Sequence, residues 1–333
     1  MTGAGPARTS GYTCGSRMIG TPSPSIEVGD LHEISDEEAC VLVDRRLGAP
    51  STWPEGLIPW RLGRDSQSDW KAEVGHWLHT AEKHGFAEPL VARARASGGR
   101  VHKQPRGQRH ANEKAHQAMT SELAPAMATH YFVGTGWQFG AWEPKTALGD
   151  VDVELVTPSG LRAVLQVKAP DQPDQHNNER VRNALDKGRK QLEGARQPSM
   201  IVVSAQRNFS LAVDPDLSLL ALVGMSHQID GMIVYPRDEL GCFSLPAWRH
   251  IGAVVFLDHV RGAARFRYVC TALLNPWADS SVRCEREWYP RARVLWGDGE
   301  RLHWQAGPPH GPVYESAKIV TAWWRESRRA APA

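Results

Sequence analysis

The sequence predicts a mixed α/β fold, and three observations predict it. Polar and apolar residues alternate through GDVDVEL (149–155) and again through LQVKA (165–169), the period of two that marks strands. Helical spacing of apolar residues brackets this stretch, with Ala115, Met119 and Leu123 before it and Val181, Leu185 and Leu192 after it. The short apolar run Met200-Ile201-Val202-Val203 then follows as a buried strand. Helix, strand, hairpin, helix, strand is the order of a mixed α/β core.

Taken in chain order, residues 1–30 are rich in Gly, Ser, Thr and Pro and are expected to form a disordered tail. Ser35-Asp36-Glu37-Glu38 is a capping box that opens a helix to about Leu47. A second helix is expected over Asp69–His84, with Trp70, Val74, Trp77 and Leu78 at helical spacing, and a third over Glu88–Ala96. Residues 89–112 carry Arg93, Arg95, Arg100, Lys103, Arg106 and Arg109 with no acid, broken by Gly98-Gly99 and Pro105-Arg106-Gly107. This stretch reads as an exposed basic linker, and either a solvated connection or a phosphate-contacting element fits it.

The helix over Ala111–Ala128 is followed by strand-like text at His130–Val133 and Trp137–Trp142. After the core, Gly231–Tyr235, His250–Leu257 and Arg265–Leu273 read as strands. Arg291–Trp296 and Arg301–Gln305 flank the hairpin signal Gly297-Asp298-Gly299, and Ser316–Arg328 reads as an amphipathic helix. The chain thus divides into the tail 1–30, a helical region 31–108, a core 109–210 and a β-rich part 211–333. That last part is either an extension of the core or a second domain.

The 333 residues carry 39 Lys and Arg against 37 Asp and Glu, a net charge of +2, which is too small to argue for nucleic-acid binding by itself. Five scattered cysteines without a CxxC pair suit a reducing cytoplasm. No run approaches the roughly 18 apolar residues of a membrane span, and no membrane partner is expected. His76, His79 and His84 with Glu73 make no HExxH pattern, and surface histidines are the expectation there. Most of the thirteen tryptophans are expected in the core; the Trp323-Trp324 pair is the one that suggests a partner surface.

Pro158-Ser159-Gly160 fits a three-residue hairpin loop, with Pro opening a type I turn and Gly at the left-handed position. Counting back from a Thr157–Leu161 pair sets Asp152 opposite Gln166 and Asp150 opposite Lys168. Opposed residues share a face and lie about 5 Å apart. Val151, Val153, Leu155, Leu165 and Val167 then fill the core face, and the polar side chains form a wet, site-like patch. Carboxylate and carbonyl oxygens suit Mg²⁺ or Mn²⁺. A lysine beside such an ion can orient or deprotonate water.

An acidic strand, a hairpin and Q-V-K, followed by a helix and a strand, resemble the PD-(D/E)xK nuclease superfamily, the restriction-endonuclease-like fold; the Mrr-type branch has a similar glutamine variant ending in QxK. The resemblance covers about residues 110–205. It implies a mixed sheet flanked by helices and Mg²⁺- or Mn²⁺-dependent hydrolysis of a nucleic-acid phosphodiester, DNA rather than RNA, in restriction, defence or repair. Carried over, Asp152 is the metal-binding Asp, with Asp150 in support. Gln166 is the second ligand, a neutral one where an acid is usual, and Lys168 is the catalytic lysine. Glu113 is the acid from the preceding helix, with Glu122 as the alternative, and Gln191 resembles an accessory glutamine. Arg100, Lys103, Arg106 and Arg109 are the candidate phosphate contacts. A catalytically inactive nucleic-acid-binding or scaffold protein on the same fold is the rival expectation, and a homodimer or a partner protein stays open.

Overall fold

A computed structural model describes residues 25–48, 67–101, 108–146, 149–170, 178–204, 228–229, 232–233, 242–261, 266–297 and 302–305. The helices are α1 (Asp36–Leu47), α2 (Gln67–Lys83), α3 (Ala87–Val101), α4 (Gln108–Gly134) and α5 (Asn178–Gln191). The strands are β1 (Ser25–Glu27), β2 (Gln138–Trp142), β3 (Lys145–Thr146), β4 (Gly149–Asp150), β5 (Val153–Val156), β6 (Arg162–Lys168) and β7 (Ser199–Val203). After them come β8 (Gln228–Ile229), β9 (Met232–Ile233), β10 (Ala253–Arg261), β11 (Phe266–Leu274), β12 (Arg293–Gly297) and β13 (Leu302–Gln305).

Nine of these strands form one mixed sheet in the order β13-β12-β11-β10-β7-β6-β5-β2, with β1 paired to β11. The β6–β7, β7–β10 and β11–β12 pairs are parallel; the other pairs are antiparallel. The β-rich C-terminal strands therefore continue the same sheet, and one hydrophobic cluster runs from Leu31 to Val294.

Strand alternation assigns the two faces. Val153, Leu155, Leu165, Val167, Met200, Val202, Val255 and Leu257 share that cluster with Trp77, Leu78, Leu90, Leu123, Met127 and Phe132, so α2, α3 and α4 cover this face. Burying each such side chain contributes about 1.5–3 kcal/mol. On the other face Gly188 of α5 lies so close to Ile201 that a Cβ would sit 3.0 Å from its Cγ2. Helices thus flank the sheet on both sides.

Local signals explain most element ends. Ser35 caps α1 as a full capping box: its hydroxyl accepts from the Glu38 N–H, and the Glu38 carboxylate accepts from the Ser35 N–H. The α1–α2 contact depends on Gly75, where a Cβ would fall 2.2 Å from the Ala39 carbonyl oxygen. Only a residue without a side chain permits that approach.

Three sequence expectations need correction. His130–Val133 is helical, part of the 27-residue α4. Tyr131 and Phe132 are fully buried there, so tertiary packing outweighs their strand preference. Pro125 sits inside that helix, as the expected span already allowed, and the Thr129 hydroxyl donates to its carbonyl at 2.8 Å. Gly98 and Gly99 lie within α3, where Gly98 is buried, so the basic stretch is helical up to Val101. Finally, Ser25–Glu27 of the expected tail forms β1, antiparallel to Arg267–Val269. The expected Ser316–Arg328 helix and Trp323-Trp324 lie outside the described residues.

Candidate active site

The hairpin sets the register from which the site is built. The Thr157 N–H donates to the Leu161 carbonyl at 2.8 Å, and Gly160 takes φ +86°, the left-handed position expected of it. The ladder pairs Val156 with Arg162 and ends with Val153 opposite Leu165, one step short of Asp152 and Gln166. Asp152 lies at a bend just before β5, held by the Glu143 N–H, which donates to the Asp152 carbonyl at 3.0 Å. The pairing stops there. Asp150 instead pairs with Lys145 across the small β3–β4 ribbon, so it is not opposite Lys168 as expected.

Asp152 and Gln166 meet directly. The Gln166 amide nitrogen donates to Asp152 Oδ2 at 2.5 Å, and the Val167 N–H donates to the same oxygen at 2.7 Å. The expected wet face is largely covered, because the sheet is flanked on this side too: Gln166 is 1% exposed, while Asp152 and Lys168 are half-buried. Burial raises the Asp152 carboxyl above its usual range, opposed by Lys168, the Val167 N–H, the Gln166 amide and Arg93. Burial likewise lowers the Lys168 ammonium; Asp152 opposes this and Lys187 of α5 adds to it. Two neighbouring titratable groups are thus each pushed toward neutrality by burial.

The fit to a divalent ion rests on Gln166. Its nitrogen is committed to Asp152, which fixes the amide orientation, and its Oε1 is buried without a hydrogen-bond partner. An orphaned buried acceptor beside a carboxylate suits an oxygen-seeking cation.

Helix α4 approaches from the opposite face. The Ser121 hydroxyl donates to the Ala169 carbonyl at 3.4 Å, next to Lys168. Glu122 follows, 3.8 Å from Arg93, whose guanidinium also pairs with Glu143 and lies 5.1 Å from the Trp142 ring centre. Glu143 is the one non-glycine residue with positive φ (44°) among the described residues, a conformation costing roughly 1–2 kcal/mol. Of the two helix acids, Glu122 is thus the one that stands beside the end of β6. Glu113 precedes it by nine residues, roughly 13 Å along the axis at 1.5 Å per residue. Only its backbone in α4 is described, and the same is true of Arg100 in α3 and Arg109 in α4. Lys103 and Arg106 lie outside the described residues.

Gln191 is exposed at the last residue of α5. The preceding turn is fixed by the His250 ring, which bonds the Arg189 carbonyl at 2.9 Å. The His250 carbonyl in turn accepts from the Ser199 hydroxyl, at the start of β7. Ser199 pairs with Val164, so Gln191 lies toward that end of β6 and away from Lys168. Arg93, Glu143 and Lys187 were not expected at the site. Arg93 and Glu143 are brought in by an interhelical pair and a left-handed turn that leave no sequence pattern.

Of the three histidines expected on the surface, His79 and His84 are part-exposed but His76 is not. His76 is 1% exposed in a cluster with His32, Glu73, His130 and His259. No helix among the described residues is long and apolar enough to cross a membrane. No protein-family model, curated protein or solved structure matches this chain.

Proposed function

We propose that the chain is a metal-dependent nuclease that hydrolyses nucleic-acid phosphodiesters, with DNA as the expected substrate. The observation that carries this reading is the clustering of Asp152, Gln166 and Lys168 on one sheet face, with the Gln166 Oε1 left for a cation. The order α4, β2, the β5–β6 hairpin, α5, β7 agrees with the order of elements in the PD-(D/E)xK resemblance. Asp152 and Gln166 would hold Mg²⁺ or Mn²⁺, which supplies charge stabilisation for the phosphate and lowers the pKa of water. Asp152 is anchored through Oδ2 by Gln166 and the Val167 N–H. Lys168, with its ammonium destabilised by burial, orients the attacking water or takes its proton. Glu122, the alternative helix acid, pairs with Arg93, which also pairs with Glu143 and whose charge is felt at Asp152.

The test is cleavage of plasmid and oligonucleotide substrates with Mg²⁺ and Mn²⁺, using wild type, Lys168→Ala and Asp152→Asn, with thermal melts as the folding control. Wild type is expected to cleave and both variants to be inactive yet folded; raised Mn²⁺ partly rescues Asp152→Asn but not Lys168→Ala. Equal cleavage by Lys168→Ala overturns the mechanism. A wild type that cleaves nothing and binds no divalent ion makes the chain a non-catalytic nucleic-acid-binding or scaffold protein.

A further inference from the structure

A second group of metal-ligating side chains lies on the other face of the sheet, where α1, α2 and β10 meet. His76 Nε2 is 3.0 Å and His32 Nδ1 3.6 Å from Asp36 Oδ1, and the three ligand atoms all fall within 4.8 Å of one another. Ligands about 2.0–2.1 Å from a tetrahedral zinc ion are about 3.3 Å apart, so these spacings bracket the requirement. Behind them, Glu73 is 4% exposed. Its Oε1 lies 3.6 Å from His32 Nε2, the ring nitrogen on the far side from Asp36, and its Oε2 lies 3.3 Å from His259 Nε2.

The cluster does not satisfy itself. Glu73 pairs with His32 and His259, whereas the buried His76 Nδ1 has no hydrogen-bond partner. A half-satisfied polar network in a low-dielectric interior is costly. Metal-bound histidines typically turn their second nitrogen to a carboxylate, the relation that Glu73 bears to His32. Asp36 is 74% exposed at the first residue of α1, giving an ion a route in and leaving a position for water.

We propose that His32, Asp36 and His76 hold a divalent transition-metal ion, zinc by ligand type, with Glu73 orienting His32 from behind. Two imidazoles and a carboxylate are borderline ligands that suit zinc better than magnesium. The His32 and His76 rings stack at 3.3 Å with 16° between their planes. Parallel rings at that spacing cannot both direct an in-plane lone pair at one ion, so loading turns one of them. His32 is that ring: it follows a 3-10 turn instead of standing within a helix. The bound ion fastens the segment before α1 to the start of α1 and the middle of α2.

The test is metal analysis of the purified full chain after chelation, reloading with Zn²⁺ and dialysis, followed by the visible spectrum of the Co²⁺-substituted protein. Wild type is expected to retain zinc stoichiometrically, to give the intense bands of a four-coordinate Co²⁺ site, and to melt at higher temperature with zinc than without. Asp36→Asn changes an exposed side chain, so it should fold while losing the zinc-dependent rise in melting temperature. Glu73→Gln should weaken zinc binding about 10–100-fold. Lys168→Ala should retain zinc as wild type does, which separates this site from the nuclease reading. A wild type that keeps no zinc overturns the proposal, as does Asp36→Asn or His32→Ala holding zinc as tightly as wild type.

Discussion

The two polar clusters are built in opposite ways. Asp152, Gln166 and Lys168 come from one hairpin, within seventeen residues of sequence, and strand period and turn chemistry bring them together. His32, Asp36, Glu73, His76 and His259 come from four segments, and helix packing against the sheet brings them together. The first cluster is half-buried on one face of the sheet and the second lies mostly within the core. A local cluster can be read from alternation, whereas a distributed one depends on how helices sit on the sheet, which no short pattern encodes.

The largest expected effect falls on the hairpin cluster. Lys168→Ala should lower Mg²⁺-dependent cleavage by about 10²–10⁴-fold, the usual contribution of a general acid or base. The melting temperature should move little, because Lys168 lies off the hydrophobic cluster and burial makes its charge costly to the fold. Assays of cleavage and melting on the same preparation check this; a large fall in melting temperature would show that the hairpin cluster is structural, like a core network.

The next effect belongs to the helix-built cluster. Gly75→Ala gains about 1 kcal/mol of helix propensity but drives a Cβ into the Ala39 carbonyl. Overpacking of this kind costs roughly 1–3 kcal/mol, and a backbone atom cannot rotate away, so a net loss is expected in denaturant titration. Zinc affinity should fall as well, since Asp36 and His76 lie on the two helices that the methyl separates. Unchanged stability would mean that α1 and α2 do not hold this spacing in solution.

A subtler difference appears with pH. The Asp152 carboxyl is raised in the folded, metal-free protein, so its charged form costs stability relative to the unfolded chain. That cost is complete above the folded pKa and vanishes as pH falls to the unfolded value near 3.8. Asp152→Asn should therefore melt at or above the wild-type temperature at neutral pH without metal, with the gap closing in acid. A variant clearly less stable than wild type at neutral pH would show that the hydrogen bonds to Asp152 outweigh its burial.

The smallest effect is expected from Arg162→Ala. Its partner Glu154 is nearly buried, but Arg162 itself is 73% exposed at 3.1 Å, so the pair contributes about 0–1 kcal/mol. A larger loss in chemical denaturation would mean that Glu154 depends on this partner.

Much of the fold could be read from residues alone. The capping box placed α1, the Pro-Ser-Gly turn fixed the β5–β6 register, and apolar spacing located α2, α5, β7, β10 and β11 within a few residues. The failures share a cause. His130–Val133 has strand-like composition, yet it continues α4 because burying Tyr131 and Phe132 against the sheet decides the outcome. In the site, Gln166 opposite Asp152 followed from counting, whereas Arg93 and Glu143 arrive through an ion pair and a left-handed turn. Asp150 left the expected ladder because the β3–β4 ribbon captured its backbone.

The pairing of β1 with β11 has a consequence for synthesis. Ser25 lies opposite Val269, so the first of these strands must wait for more than 240 further residues. At about 5–20 residues per second that is on the order of tens of seconds. Strand β7 also waits, since its second neighbour β10 begins at Ala253. The elements bearing Asp152, Gln166 and Lys168 therefore leave the ribosome with a sheet edge still open, and such edges template wrong pairings. Slower translation through residues 205–252 would lengthen that exposure, making nascent-chain aggregation sensitive to codon choice in a stretch that supplies no residue to either cluster.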